Sequence, residues 1–400
     1  MKNGIGIYVH IPFCVQKCRY CDFLSFNINE EIKAKYIEAL IKEIELYSNY
    51  NVEEKYNVST IYIGGGTPSS INGEYIAKIV ECIRKVYNVA DNAEITIEVN
   101  PGTVTEDKVL LYKRIGINRI SIGLQSTNNE ELKVLGRIHT YEDFIETYNC
   151  FRNNGFNNIS IDVMSAIPNQ TVDSYTETLN RIISLKPEHI SSYSLIIEEN
   201  TPFYYQKDKL KLVSEDEERE MYYLTKDILQ QHGYKRYEIS NYSLEEKESI
   251  HNSNYWDVTK YYLGFGIGAS SYINEKEYNY NSVRYSKIDN INEYIDIMSN
   301  YEKSNIIQTR KIKEKIECDK EIIPVNIKLE EYMYLGLRKM EGISIGDFNN
   351  LSCNGDIYEI YGAVISKYKN MGLLVEDKDK IYLSDKGIDV CNVIFADFIK

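Results

Sequence analysis

Over the first two hundred residues, short runs of β-branched and aromatic positions alternate with longer stretches whose apolar residues recur every three to four places. The opening run, GIGIYVHI, predicts a strand over 4–11, and the next periodic stretch predicts a helix over about 30–48. Five more strands are predicted at STIYIGG (59–65), EITIEVN (94–100), NRISIGLQ (118–125), NISIDVM (158–164) and HISSYSLII (189–197), with helical patterns between them. This βα rhythm specifies an α/β fold with a parallel sheet, either doubly wound or curled into part of a (β/α) barrel. Several strands end in polar or Gly-rich residues: Gly64 to Thr67, Glu98 and Asn100, Gln125, and Asp162. In both architectures ligands sit at the carboxyl ends of the strands, so the active site is expected where these endings converge.

Beyond about residue 200 the rhythm is lost. A charged helix is predicted at 215–232, followed by YEISNYS, the aromatic cluster HNSNYW at 251–256, and GFGIGASSY. From about 328 a tail reads as a helix (LEEYMYLGLRKM), a turn (EGIS), a helix over 357–370, a hairpin-like pair (GLLVEDKDKIYLS) and a last helix starting near Asp385. Helices followed by a small two-stranded wing predict a winged-helix-like module. The chain thus divides into a βα core (1–240), a connecting region (241–325) and a C-terminal module (326–400).

Charge narrows the partners. A formal net charge of −14 argues against a protein that coats nucleic acid, which needs Lys and Arg to neutralise phosphates, so the winged module is expected to serve structure or docking. No run of eighteen apolar residues occurs, and residues 1–13 hold one Lys and no long apolar stretch. Neither a membrane span nor a signal peptide is expected, and a cytoplasmic location follows as an expectation. Cys82, Cys150, Cys318, Cys353 and Cys391 are scattered and read as unpaired thiols.

The other three cysteines are not scattered. HIPFCVQKCRYCDF packs Cys14, Cys18 and Cys21 into eight positions. A structural zinc site wants four ligands, usually drawn from two separated knuckles; His10 could complete one only through a tight loop closure. Three thiolates also suit a [4Fe–4S] cluster in which one iron keeps no protein ligand and can chelate an amino group and a carboxylate, both of which S-adenosylmethionine (SAM) carries. GGGTP, from Gly64 to Pro68, lets backbone approach a small ligand, and it lacks the Gly-Lys-Ser/Thr ending of a phosphate loop. Gly264, Gly266 and Gly268 lack the spacing of a dinucleotide fingerprint.

Cys14-x-x-x-Cys18-x-x-Cys21, with Tyr20 before the last cysteine, resembles the radical SAM signature. The resemblance implies a partial (β/α)6 barrel with a C-terminal α+β winged-helix-like domain, a [4Fe–4S] cluster on the three cysteines, and SAM held by Gly65, Gly66, Thr67, Glu98, Gln125, Arg137 and Asp162, with Tyr8 and Tyr20 near the cluster. YVHIPFCVQKCRYCDF, IYIGGGTPS, EVNPGTV, NRISIGLQS, LGRIHT, PNQT and YEISNYS together resemble the HemW branch of the HemN-like, oxygen-independent coproporphyrinogen dehydrogenase family. HemN proteins carry a fourth cysteine two residues past the third, where this chain has Phe23, and a longer arm before the residue corresponding to Tyr8. HNSNYW matches the HNxxYW motif of the HemW branch, whose members are regarded as haem chaperones.

The resemblance therefore implies haem as ligand, His251 as a residue that binds it, and haem-accepting respiratory proteins, membrane-bound ones included, as partners; a homodimer is compatible with it. Decarboxylation of coproporphyrinogen III is the alternative activity. Two departures from the pattern stand out: Ser270 where a His is usual, and Ala166 where a Gly is common, which matters only if the backbone there needs positive φ.

Overall fold

A computed structural model describes residues 4–50, 57–274, 281–301, 306–352 and 355–400. Six parallel strands form its centre: β1 (Ile5–Ile11), β2 (Asn57–Gly65), β3 (Asn88–Val99), β4 (Arg119–Gln125), β5 (Ile159–Ser165) and β6 (His189–Ser194), side by side in chain order. Helices α1 (Glu30–Tyr50), α2 (Gly73–Val86), α3 (Glu106–Arg114), α4 (Asn129–Leu135), α5 (Tyr141–Asn153) and α6 (Val172–Ser184) make the crossovers. Parallel neighbours require such crossovers, and the chain starts the helices with side chains that accept early backbone N–H groups: Asn72, Thr105, Asn128, Thr140 and Thr171.

The two faces of the strands differ in kind. Ile7, Val9, Ile61, Ile63, Ile95, Ile97, Ile120, Ile122, Ile159 and Ile161 are fully or almost fully buried in one large apolar core. The alternate positions are polar: Thr60 and Tyr62 on β2, Glu94, Thr96 and Glu98 on β3, Arg119 and Ser121 on β4, Ser160 and Asp162 on β5, and His189 on β6. Register aligns them in layers, Tyr62 beside Thr96 beside Arg119, and above these Glu98 beside Ser121 beside Ser160 beside His189. Because side chains alternate across a strand, this puts an apolar coat outside and a polar column within.

The sheet does not close. β7 (Lys235–Arg236) and β8 (Asn241–Ser243) continue it antiparallel beyond β6, while β9 (Tyr262–Phe265) joins β1 in parallel and β10 (Ser270–Asn274), β11 (Ser282–Lys287) and β12 (Glu317–Ile323) follow antiparallel. Among the described residues the result is a twelve-stranded open sheet whose centre is a partial (β/α)6 barrel, and Tyr242, Leu263, Phe265, Tyr285, Tyr294 and Ile316 share its core. The predicted Gly-rich segment GFGIGASSY is the end of β9, the turn over 266–269 and the start of β10.

The C-terminal module has its own core around Met333, Phe348, Tyr361, Ile381 and Phe398. Helices Val325–Gly336, Ile345–Ser352 and Ile357–Asn370 precede the wing, β14 (Leu374–Asp377) and β15 (Lys380–Leu383), to which the two-residue β13 (Ile343–Ser344) adds a third strand. The predicted turn EGIS therefore contains a strand, and helix Ile345–Ser352 was not predicted. The module meets the barrel through polar contacts: Asp385 with Lys226 and Arg236, and the Met340 N–H to the Tyr237 carbonyl. Cys353 lies outside the described residues; the remaining cysteines are free thiols.

Candidate functional site

The loop after β1 is folded back on itself. Phe26 N–H donates to the Pro12 carbonyl (2.8 Å) and Cys14 N–H to the Phe26 carbonyl (3.0 Å), while Phe13 is buried edge-on against Tyr36. Arg19 N–H bonds the Leu135 carbonyl (2.9 Å), fixing the far side of the loop to the end of α4. Between these anchors Cys14, Cys18 and Cys21 are half-buried and line one cleft at the carboxyl ends of the strands.

The glycine turn after β2 meets this loop by backbone alone. Gly66 N–H donates to the Ile11 carbonyl (2.9 Å) and Thr67 N–H to the Phe13 carbonyl (2.8 Å). A Cβ on Gly66 would lie 2.8 Å from the Phe13 backbone, and Gly65 adopts φ +114°, so neither position admits a side chain without a shift. Thr67 Oγ1 stands 3.5 Å from Cys14 Sγ and accepts from Asn100 Nδ2 at 2.9 Å.

Opposite the cysteines the wall is polar. Glu98 accepts from Tyr62 Oη (2.8 Å) and Gly65 N–H (3.0 Å); burial pushes its carboxyl up to about 7, opposed by these bonds. Burial also pushes Asp162 up to about 6, against the pull of Arg119 and of the Ser121 and Ser160 hydroxyls. Arg137 donates to Asn100 Oδ1 (3.0 Å), to the Gly123 carbonyl and to Cys18 Sγ (3.6 Å). Gln125, at φ +73° where β4 ends in an irregular register, accepts from Tyr193 Oη at 3.0 Å.

Of the residues singled out in the sequence, the three cysteines, Tyr20, Gly65, Gly66, Thr67, Glu98, Gln125, Arg137 and Asp162 all line this cleft. Tyr8 lies beneath it, its hydroxyl 2.9 Å from His10 Nδ1 and its ring stacked on Tyr62. The structure does not bring His251 there. It sits on the short helix Ile250–Asn254 at the other end of the barrel, 1% exposed, with Nδ1 bonded to Thr60 Oγ1 (2.8 Å) and Nε2 to Tyr255 Oη (2.9 Å). Both ring nitrogens are engaged in this arrangement, and burial pushes the imidazole down to about 3, so it is neutral. Trp256 is covered by the Arg338 guanidinium at 4.3 Å. Ser270 is exposed at the start of β10 and bonds Ser286, and Ala166 does adopt positive φ, +58°.

Ser121, Gly123 and Tyr193 also line the cleft and were not singled out. The signal for Ser121 and Gly123 was the two-residue alternation that places them with Gln125 on β4.

The donor set discriminates between metals. Among the described residues no three His, Cys, Asp or Glu side chains converge on a single ion site. His10 is no fourth zinc ligand, because its Nε2 bonds the Leu24 carbonyl (2.9 Å) and its Nδ1 the Tyr8 hydroxyl. A [4Fe–4S] cluster binds each thiolate through a different iron, so its cysteines need only face one cavity, as these do.

Comparison with known proteins agrees with that geometry. Residues 8–182 match the radical SAM superfamily and residues 326–390 the HemN C-terminal domain. The chain is 33% identical to the heme chaperone HemW of Lactococcus lactis, covering 100% of this chain and 98% of that one. The chain belongs to the HemW family. The HemW proteins of Bacillus subtilis, at 32% identity over 98% of both chains, and of Escherichia coli, at 36% over 66% of this chain and 69% of that one, are further relatives. The solved structure of coproporphyrinogen III oxidase (HemN) from Escherichia coli has the same fold, with a TM-score of 0.82 over 99% of this chain and 90% of that one at 21% identity. This HemW chain thus shares the HemN architecture, and its radical SAM domain is of the kind that uses a [4Fe–4S] cluster and SAM. No helix among the described residues is long and apolar enough to cross a membrane.

Proposed function

We propose that this protein is a haem chaperone that holds a [4Fe–4S] cluster on Cys14, Cys18 and Cys21, binds SAM beside it, and delivers haem to haem-accepting respiratory proteins. The observation that carries the reading is the convergence, in one cleft, of three thiols with a close backbone turn, two buried carboxylates and a fixed arginine, in a chain similar end to end to proteins named heme chaperones. When bound, the cluster supplies an open iron for the amino acid end of SAM and a one-electron donor.

The chain's own residues do the positioning. The Gly65 to Thr67 backbone and the Arg137 guanidinium, already oriented by Asn100 and the Gly123 carbonyl, suit the amino acid end of SAM. Glu98 and Asp162, when ionised, suit ribose hydroxyls. Gln125 and Tyr193 form the far wall.

His251 is the proposed haem contact. Ligation through Nε2 would exchange the Tyr255 hydroxyl for iron and require the helix Ile250–Asn254 to leave the barrel base, since the residue is 1% exposed. The test is an anaerobic haem titration of cluster-reconstituted protein followed by the Soret band, with and without SAM. Saturable, near-stoichiometric binding supports the chaperone reading, and its absence, with turnover of coproporphyrinogen III, replaces it. An identical Soret spectrum and affinity in His251→Ala removes His251 from the haem site.

A further inference from the structure

Below the cleft, the polar column inside the barrel contains a cation that the proposed SAM site does not use. Arg119, at the start of β4, is 1% exposed and is among the largest fully buried side chains. Its Nε and Nη1 are buried without a hydrogen-bond partner. Thr96, its register partner on β3, is fully buried and its Oγ1 also has none. Two orphaned donor nitrogens and an orphaned hydroxyl thus belong to neighbouring residues of one layer. Donors left dry inside a protein are costly. Buried donors of this kind are satisfied by enclosed water when no protein atom serves them.

The surrounding charges show what this cation can do. Facing it are Tyr62 from β2, Glu98 from β3, Asp162 from β5, His189 from β6, Tyr237 from the segment between β7 and β8, and His251 from the basal helix. Both histidines are held neutral by burial, with Arg119 adding to the effect. Glu94, nearer the base, is occupied by the N–H groups of Ile250 and His251. Glu98 and Asp162 remain, one layer or more above Arg119, at roughly 3.3 Å rise per residue. The other charged or titratable groups around them are Tyr8 and Tyr255 beside Glu98, and Arg137, Tyr20 and Tyr193 beside Asp162. Arg137 is already committed at the mouth to Asn100, Gly123 and Cys18.

We propose that Arg119 is a positioning residue for the SAM pocket: through enclosed water shared with Thr96 it balances the charge of Glu98 and Asp162 and keeps both carboxylates as acceptors for the ribose. The proposal rests on the reading of those two carboxylates as SAM contacts.

The experiment compares wild type, Arg119→Met, Arg119→Lys and Thr96→Val. SAM affinity of the cluster-reconstituted proteins is measured by calorimetry between about pH 6 and 9, and the protonated-carboxyl band of the cluster-free proteins is followed by infrared titration, with Glu98→Gln and Asp162→Asn assigning it. In Arg119→Met the carboxyl titration and the acid limb of SAM affinity both move to higher pH, by about one unit, so SAM binds about tenfold more weakly at neutral pH. Arg119→Lys, which keeps the charge, restores most of this. Thr96→Val, which removes only a hydroxyl, moves both midpoints the same way by a smaller step, and it serves if Arg119→Met fails to fold. Unchanged midpoints in Arg119→Met and Thr96→Val, with loss of thermal stability alone, overturn the proposal. If the infrared midpoints move while Glu98→Gln and Asp162→Asn leave SAM affinity intact, the SAM-pocket reading is overturned and charge balance by Arg119 stands.

Discussion

The cysteine loop is supported from behind by a buried ion pair whose removal has a calculable cost. Glu43, on α1, and Lys287, on β11, are both fully buried and 3.0 Å apart. Glu43 Oε2 also accepts from the Gly266 N–H (2.8 Å) and from Tyr294 Oη (2.6 Å). Gly266 is where the turn after β9 touches the start of the site: a Cβ there would lie 2.3 Å from Tyr36 Oη and 2.9 Å from the His10 carbonyl. Glu43→Gln keeps the shape and an acceptor oxygen but leaves Lys287 without its adjacent carboxylate. Removing one partner of a buried pair typically costs 3–5 kcal/mol; with Glu317 still reaching Lys287 through the Tyr47 hydroxyl, about 3 kcal/mol is expected here. Because the barrel and the C-terminal module have separate cores, the local readout is hydrogen exchange at the Gly266 and Ile267 amides, alongside denaturant unfolding. Iron content after reconstitution should fall in parallel. The double variant Glu43→Gln/Lys287→Met removes both charges and should return to within about 1 kcal/mol of wild type. A cost below about 1 kcal/mol for Glu43→Gln, or a double variant no more stable than the single one, would refute the reasoning.

Three further outcomes are expected. Alanine at any one of Cys14, Cys18 or Cys21 should abolish the brown, oxygen-sensitive chromophore of anaerobically reconstituted protein, and full iron and sulfide in these variants would remove them as ligands. Glu98 titrates near 7 in the fold against an ordinary 4.5, so the folded state holds the extra proton between those values and loses stability as pH rises through them. Glu98→Gln should therefore gain on wild type with rising pH, by up to about 3 kcal/mol above neutrality in paired cluster-free unfolding curves; a pH-independent difference would contradict this. Ala166 at φ +58° costs about 1–2 kcal/mol that glycine would not, less the greater unfolded freedom of glycine, so Ala166→Gly should stabilise by about 0.5 kcal/mol, and a lowered unfolding midpoint would count against it.

The first five central strands were legible because their outward positions carry Ile, Val and Leu at a period of two, which only a strand buries efficiently; β6 has only Ile190 on that face and ends at Ser194, three residues short of the prediction. β3 begins at Asn88, six residues before the predicted start, because its first residues, NVADN, are polar and partly exposed. The parallel pairing of β9 with β1 was not legible, since it joins residues more than 250 positions apart and local pattern says nothing of partner choice. Cleft residues at strand ends could be read from position, whereas Tyr20 and Arg137 came from the family resemblance, and their place in the cleft comes from the structure. Arg119 went unread because a basic residue opening a strand resembles a solvated flank; only register shows that it faces inward beside Thr96.

The basal helix that carries His251 has a kinetic corollary. Its N–H groups bond Glu94, and its imidazole fills the space beside Gly6 and Thr60, so the column has a floor there. With that end covered, the cleft exchanges its contents at the carboxyl ends of the strands, where the cysteine loop and the glycine turn lie. A guest lodged against the cysteine loop and the glycine turn must then arrive before anything that covers the cleft, and leave after it. A broad, flat guest resting across the mouth would act as a stopper, setting the residence time of everything beneath it without touching any of it.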